Sequence, residues 1–351
     1  MNDTAEMSEK DPSSRTLTEQ DIRPAELMDR QREAVLADIG RMHSRSSEFV
    51  QVRCPACGSD TGRLKFEKNG FRYEECARCE TFFMNPRPTS EVLEWFYKGS
   101  PNYAYWNAVM FPASEGARRE KIFVPRVERV LQICREHDVQ TGRLVEIGAG
   151  FGTFCDEMSS RGIFDEIVAI EPTPGLASSC RVRGLRVIES PVEQIRFYEN
   201  ELFDVAVNFE VIEHLFDPGS LISHMGRLLR PGGILVLTCP NGKGFDVETL
   251  GPLSDTVDHE HLNYFNPKSL AELLERHGFE TLESVTPGQL DAELVRKQAL
   301  SGAVDLSGQP LLKRIIIDQW DELGRPFQQF LIDHRLSSNM WVVARNGARA
   351  A

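Results

Sequence analysis

The chain predicts an α/β fold built on a mostly parallel sheet. The first observation is the apolar stretch Leu144-Val145-Glu146-Ile147, followed by glycines at alternate positions, Gly148, Gly150 and Gly152. Such glycines let a backbone turn pass close under a ligand where any Cβ would clash. The second is Glu171, which follows another apolar run, Ile167 to Ile170. An acid about 20 residues beyond a glycine turn is placed to bind ribose hydroxyls. The third is the spacing itself, G-x-G-x-G and not G-x-G-x-x-G, so no pyrophosphate needs room at the helix N-terminus. The ordinary alternative is a tight strand-to-helix turn with no ligand.

At 351 residues the chain can hold one large domain and one small one. A formal charge of −13 speaks against a nonspecific nucleic-acid binder, because phosphate needs clustered Lys and Arg. No apolar run is long enough to span a bilayer, and the polar start lacks the apolar centre of a signal peptide, so a cytoplasmic protein is expected. Residues 1–22 are expected to be a disordered tail. Residues 23–50 are expected to be a helix, with Leu27, Ala34, Val35, Ile39 and Met42 near one face for packing or for a homodimer.

Residues 51–90 carry Cys54-Pro55-Ala56-Cys57 and Cys76-Ala77-Arg78-Cys79, separated by eighteen residues. Two C-x-x-C knuckles at this separation predict a tetrahedral Zn²⁺ site, with Gly58 supporting the first turn. Residues 63–75 alternate as a short hairpin, so the module reads as a zinc ribbon. Four thiolates close the coordination sphere, which makes the zinc structural. Disulfides are the alternative, and a cytosolic setting disfavours them. Cys134, Cys155, Cys180 and Cys239 sit in apolar surroundings and are expected in the core.

Residues 91–141 form an aromatic, helical segment, with Trp95, Phe96, Tyr97, Tyr103, Tyr105 and Trp106. It is either a packed joint or one wall of a pocket. Arg118, Arg119 and Lys121 make a basic cluster, either a solvated face or a contact for a substrate phosphate.

In the remaining domain, Leu185 to Glu189 and Phe203 to Asn208 read as strands. Leu228-Leu229-Arg230-Pro231-Gly232-Gly233 ends a helix and leads into a strand over 234–238, and 338–345 reads as a last, antiparallel strand. Together these elements resemble the class I S-adenosylmethionine-dependent methyltransferases. Glu146 to Gly152 match that family's first motif, Glu171 its ribose acid, and Arg230 to Gly233 its "LKPGG" element. The resemblance covers residues 142–345. It implies a Rossmann-like class I methyltransferase sheet, parallel with one antiparallel strand, and S-adenosyl-L-methionine as cofactor. It further implies that Gly148, Gly150 and Gly152 shape the loop under the methionine part and that Glu171 binds the ribose. Pro191 and Val192 would lie at the adenine edge, and Asn208 and Phe209 beside the reacting sulfur. A helical insertion is expected over 291–336, as a pocket cover or a dimer contact.

In an open α/β sheet, ligands sit outside the carboxyl ends of the strands. Two segments with ionisable side chains fall there: Asn208 to His214, and Asp258-His259-Glu260-His261 with Tyr264-Phe265. The ordinary reading of Glu213 and His214 is that they begin and cap the next helix. Glu210, Glu213 and His214 with His261 resemble the E-x-x-E-H set of metal-dependent small-RNA 2′-O-methyltransferases and ubiquinone-pathway O-methyltransferases. That resemblance implies Mg²⁺ or another divalent cation on the acceptor hydroxyl. His259-Glu260-His261 with Tyr264-Phe265 and Ser269-Leu270 resembles sugar C-methyltransferases, which also carry an N-terminal zinc-binding region. That second resemblance implies Glu260 and His261 as the base. The resulting expectation is methyl transfer to a small-molecule or glycan acceptor, first a sugar hydroxyl. His261, Glu260 and His214 would be the catalytic residues. Carbon methylation of a keto-sugar nucleotide is the second reading, and a non-catalytic cofactor-binding scaffold the third.

Overall fold

The computed structural model describes residues 17–196 and 201–347. The disordered tail expected over 1–22 lies outside the described residues as far as 16. Beyond that point the expectation fails: Glu19–Ile22 form a helical turn, α1, whose cap Thr18 bonds Asp21. Two distant ion pairs, Lys121 to Asp21 and Lys297 to Glu19, tie the turn down.

Next come α2 (Met28–Ser44), the hairpin β1 (Gly62–Lys68) and β2 (Phe71–Cys76), and β3 (Phe82–Met84). The expected hairpin is therefore present. Its sheet has the order β1-β2-β3-β9, and the fourth strand, β9 (Asn263–Tyr264), is supplied by the C-terminal half of the chain. Residues 51–90 are thus built into the main domain. Phe82 stacks on Tyr264 at 4.2 Å across that junction.

The aromatic segment forms α3 (Ser90–Gly99), α4 (Pro101–Tyr105), α5 (Phe111–Arg118) and α6 (Val124–Glu136). Wider helical turns join α4 to α5 and α5 to α6. Then follow β4 (Arg143–Ile147), α7 (Thr153–Ser160), β5 (Glu166–Ile170), α8 (Pro174–Val182), β6 (Arg186–Ile188), β7 (Phe203–Phe209), α9 (Pro218–Leu228) and β8 (Leu229–Pro240). The chain closes with α10 (Phe245–Leu250), α11 (Pro267–Arg276), β10 (Phe279–Val285), α12 (Asp291–Leu300), α13 (Pro310–Lys313), α14 (Trp320–Asp333) and β11 (Asn339–Asn346).

The main sheet has the order β10-β11-β8-β7-β4-β5-β6. β4 to β8 run parallel, and β11 is antiparallel to both β8 and β10, as expected for the last strand. β8 begins at Leu229, earlier than expected. The Arg230–Gly233 turn is absorbed as an irregularity in its pairing with β7, with Gly232 at φ 81°. Val127, Val130 and Ile133 of α6 and Phe154 and Met158 of α7 bury one sheet face. Leu221, Ile222 and Met225 of α9 and Leu270, Leu273 and Leu274 of α11 bury the other. Every β7 side chain is buried, as a central parallel strand covered on both faces requires. Cys134, Cys155, Cys180 and Cys239 are core residues, as expected. The insertion is helical and packs Val295 and Ile316 against Leu250 of α10. No helix among the described residues is long and apolar enough to cross a membrane.

Candidate functional site

The glycine loop links the end of β4 to α7. Gly148, Gly150 and Gly152 have φ of 79°, 55° and 75°, a region that favours glycine. The Gly148 and Ala149 amides both donate to Ile170 O, which draws the loop across the end of β5. A Cβ on Gly148 would lie 2.6 Å from Val211 Cγ2, and one on Gly152 would lie 2.8 Å from Leu185 Cδ1. A Cβ on Gly150 meets nothing within 4 Å. Two of the glycines thus serve packing, and the third leaves open space. Glu171 borders that space: one carboxylate oxygen accepts from Gly150 N at 2.8 Å and the other from Thr173 N at 2.9 Å. Burial pushes its carboxyl above the usual range, against the pull of those amides. Glu146 is fully buried, accepts from the Cys155 thiol at 3.0 Å, and is raised by burial to about 8.

Asn208 donates to Ile147 O at 2.8 Å, while its buried Oδ1 has no partner. An orphaned acceptor and an open cradle beside a carboxylate suit a nucleoside with an amino acid attached. Phe209 turns into the core, 4.9 Å from Phe154 and 5.8 Å from Trp341. Pro191 and Val192 follow β6, and Val192 is buried against the core of the α9 face.

Beyond β7 the chain reverses at Glu210, a non-glycine residue with φ 55°. Strained backbone of this kind concentrates at functional sites. Glu210 is drawn to Arg126 at 3.0 Å and Thr238 Oγ1 at 2.6 Å. Glu213 and His214 occupy a short 3-10 turn and do not cap the following helix. Asp217 caps α9, accepting from Ser220 N at 3.1 Å. Glu213, His214 and His261 converge, each offering a ligand atom within 4.8 Å of the others; Glu210 is not among them.

The geometry of these three groups is directional. His214 Nδ1 lies 3.1 Å from Glu260 O, and His261 Nδ1 lies 3.0 Å from Thr256 O. Carbonyl oxygens only accept, so both rings carry the proton on Nδ1 and present a lone pair on Nε2. Both Glu213 carboxylate oxygens are buried and unpartnered, and burial drives that carboxyl well above its usual range. Burial, and next the His261 imidazole, hold His214 down to about 3. Imidazoles pinned through Nδ1 to carbonyls are the usual arrangement of metal-binding histidines, so the donor set fits a divalent cation as well as a proton.

The aromatic segment reaches both halves of the site through Tyr103 and Tyr97. Tyr103 bonds the Thr173 side chain, and its ring lies 5.8 Å from Tyr97. The Tyr97 hydroxyl is 3.2 Å from His214 Nδ1. Tyr105 instead donates to Leu27 O, and Trp106 lies under the Arg118 guanidinium at 4.9 Å, so those two form the packed joint. The basic cluster is consumed internally: Arg118 donates to Ile22 O, Arg119 pairs with Asp156 and Glu157, and Lys121 with Asp21. Tyr97 belongs to the aromatic run read as a joint or a pocket wall, whereas Asn102 and Arg126 carry no signal in the sequence. Asp38 had one signal, an acid on the apolar face of α2 between Val35 and Met42.

Cys54, Cys57, Cys76 and Cys79 are buried and free, with the four sulfurs within 4.8 Å of one another. The two knuckles repeat one geometry. Cys54 N donates to Ser59 O and Gly58 N to Cys54 O; Cys76 N donates to Thr81 O and Glu80 N to Cys76 O. Gly58 and Glu80 take the matching positive φ, 73° and 60°. Two sulfur pairs, Cys54–Cys79 and Cys57–Cys76, are 3.5 and 3.6 Å apart. Tetrahedral sulfurs at about 2.3 Å from zinc would be about 3.8 Å apart, so the residues fit the ion.

A mixed seven-stranded sheet, a glycine loop and an acid at the end of the next strand are the arrangement that the resemblance to class I S-adenosylmethionine-dependent methyltransferases implied. Residues 117–284 match the family model described as a methyltransferase domain. A Mycolicibacterium smegmatis protein named "Probable S-adenosylmethionine-dependent methyltransferase" is 36% identical over 121 residues, 34% of this chain and 44% of that protein. A ubiquinone biosynthesis O-methyltransferase of Xanthomonas oryzae is 28% identical over 163 residues, 42% of this chain and 66% of the enzyme. The chain thus spans less than half of the mycobacterial relative's length. A solved structure of a Galdieria sulphuraria protein, titled a sarcosine dimethylglycine methyltransferase, aligns at 15% identity and a TM-score of 0.45 over 66% of this chain and 88% of that one.

Proposed function

We propose that the protein transfers the methyl group of S-adenosyl-L-methionine to a hydroxyl of a small acceptor, on a sugar or a glycan intermediate. The observation that carries this is the convergence of Glu213, His214 and His261, with the His214 Nε2 4.0 Å from a Glu213 carboxylate that has no hydrogen-bond partner. When bound, the cofactor supplies a methyl group already activated on a sulfonium sulfur. The chain's task is then alignment and removal of one proton from the acceptor. Gly150 and Glu171 hold the nucleoside end, and Asn208 Oδ1 offers the remaining acceptor for the amino acid. His261 Nε2 takes the hydroxyl proton, while Thr256 O holds the ring in the required tautomer. In a second reading, Glu213, His214 and His261 would together hold a divalent cation that lowers the hydroxyl pKa; His261 Nε2 would then bind the ion, and the hydroxyl proton would pass to solvent. Glu260 orients this group through its carbonyl, which accepts from His214. The similarity to enzymes named ubiquinone biosynthesis O-methyltransferases supports oxygen as the acceptor atom. Four thiolates at the knuckles hold a structural zinc that fixes the β1–β3 sheet against β9.

The test is a methyl-transfer assay with labelled cofactor, hydroxyl-bearing sugar nucleotides and dihydroxy aromatics, with and without added Mg²⁺ or Mn²⁺. An O-methylated product that depends on His261 is expected. A carbon-methylated product, or cofactor binding with no transfer across the panel, would overturn the reading.

A further inference from the structure

A second group of side chains, two of them in the loop that also carries His261, is not used by the proposed transfer, which takes only the backbone carbonyl of Glu260. Asp38 on α2 is completely buried. Its Oδ2 accepts from the Ser100 hydroxyl and from Asn102 N, at the start of α4. Its Oδ1 is buried with no partner. His259 is 2% exposed, and neither ring nitrogen has a partner. Its ring meets Phe96 edge-on at 5.7 Å, which fixes its plane. Glu260 brings Oε1 to 4.0 Å from His259 Nε2, and the same oxygen accepts from Asn102 Nδ2 at 2.7 Å. Asp258 Oδ1 accepts from the Glu260 and His261 amides, both at 2.8 Å, and so sets the path of this loop.

We propose that Asp38, His259 and Glu260 form a divalent-cation site that fastens α2 and the α3–α4 corner to the His259–His261 loop. One ligand atom from each residue lies within 4.8 Å of the other two. Ligands about 2.1 Å from an ion lie about 3.0–3.5 Å apart, so small side-chain rotations close the set. Both carboxylates already have the outer support that metal ligands usually show: Ser100 and Asn102 hold Asp38, and Asn102 also holds Glu260. A buried imidazole with both nitrogens unpaired is destabilising, and coordination would relieve it. One nitrogen and two oxygens favour Mn²⁺, Fe²⁺ or Zn²⁺ over Mg²⁺. The occupied site would hold the helix that carries Tyr103 and Asn102 against the His259–His261 loop.

The experiment uses the full chain without an affinity tag, as wild type and as Asp38→Asn, His259→Gln, Glu260→Gln and His261→Gln. Manganese is titrated in after treatment with a mild chelator, and bound metal is counted by mass spectrometry and by the electron paramagnetic resonance of free Mn²⁺. Expected is one Mn²⁺ equivalent that weakens at least tenfold in Asp38→Asn and His259→Gln and persists in His261→Gln. Amide exchange over residues 90–105 should slow on adding Mn²⁺ to the wild type and to His261→Gln, and stay unchanged in His259→Gln. Equal Mn²⁺ binding in the wild type, Asp38→Asn and His259→Gln would overturn the site. So would a wild type whose only Mn²⁺ is lost in His261→Gln, a result that assigns the ion to the proposed catalytic cluster. Circular dichroism monitors folding, and if His259→Gln does not fold, Asp38→Asn and the wild-type titration decide.

Discussion

Gly150 donates its amide hydrogen to the Glu171 carboxylate at 2.8 Å, joining the loop after β4 to the end of β5. This bond fixes the acid at the rim of the one stretch of the loop where an added Cβ meets open space. The three glycines therefore separate into different tasks. Gly150→Ala is expected to fold, with a cost of about 1–2 kcal/mol for its positive φ, and to lose cofactor affinity. Gly148→Ala must also displace Val211 and is expected to melt lower than Gly150→Ala. Calorimetric cofactor titration and thermal melts of both variants check this; unchanged affinity in Gly150→Ala would place the cofactor elsewhere.

His261→Ala is expected to keep cofactor binding and to lose about 10²–10⁴-fold in turnover, the usual share of a general base. Its contacts to Thr256 and Asp258 lie in a loop remote from Gly150, so the two effects separate. Full turnover in this variant would remove His261 from the mechanism.

The pH dependence of stability has a defined sign at Glu146. Its carboxyl is raised from 4.5 to about 8 by burial, so the folded chain holds the proton more tightly than the unfolded one. The stability it contributes is complete below pH 4.5 and is lost as pH rises through about 8. Glu146→Gln keeps an acceptor for Cys155 and does not ionise. Its melting temperature is expected to fall less than the wild type's between about pH 6 and 8. Parallel curves would show that Glu146 is already ionised in the fold.

Removal of metal from the cysteine cluster is expected to lower stability, because the binding free energy of a structural zinc is also folding free energy. Cys57→Ser should lower zinc content measured by mass spectrometry, and strong chelators should lower the wild-type melting temperature without affecting the apo variant. A tag-free wild type with no zinc would end the ribbon assignment and leave the methyltransferase domain unaffected.

Arg87 tests how the sheet of the cysteine module is joined to the loop after β7. It is completely buried and donates to Asn263 Oδ1 at 2.9 Å and to Phe216 O at 3.2 Å. Asn263 in turn donates to Leu215 O at 2.8 Å. Arg87→Met removes these bonds and leaves Asn263 Oδ1 without its donor, a cost of about 2–3 kcal/mol. Chemical denaturation checks it; a change under about 0.5 kcal/mol would mean the junction is held by packing alone.

Much of this was legible along the chain. The sheet strands, the glycine loop, Glu171, both cysteine knuckles and the helical insertion depend on local periodicity and short spacing, so a few neighbouring residues specify each. Other features depend on which distant side chain arrives. Glu210, next in sequence to the cluster, leaves it because Arg126 on α6 and Thr238 on β8 compete for its carboxylate. Asp38 joins His259 and Glu260 from 221 and 222 residues away. Tyr103, and neither Tyr105 nor Trp106, reaches Thr173 beside Glu171, because α4 begins where Ser100 and Asp38 cap it. Backbone conformations and metal knuckles are short-range, so the order of residues decides them. The partner of a charge is long-range: it is whichever group packing brings within about 3 Å, and only the folded chain decides that.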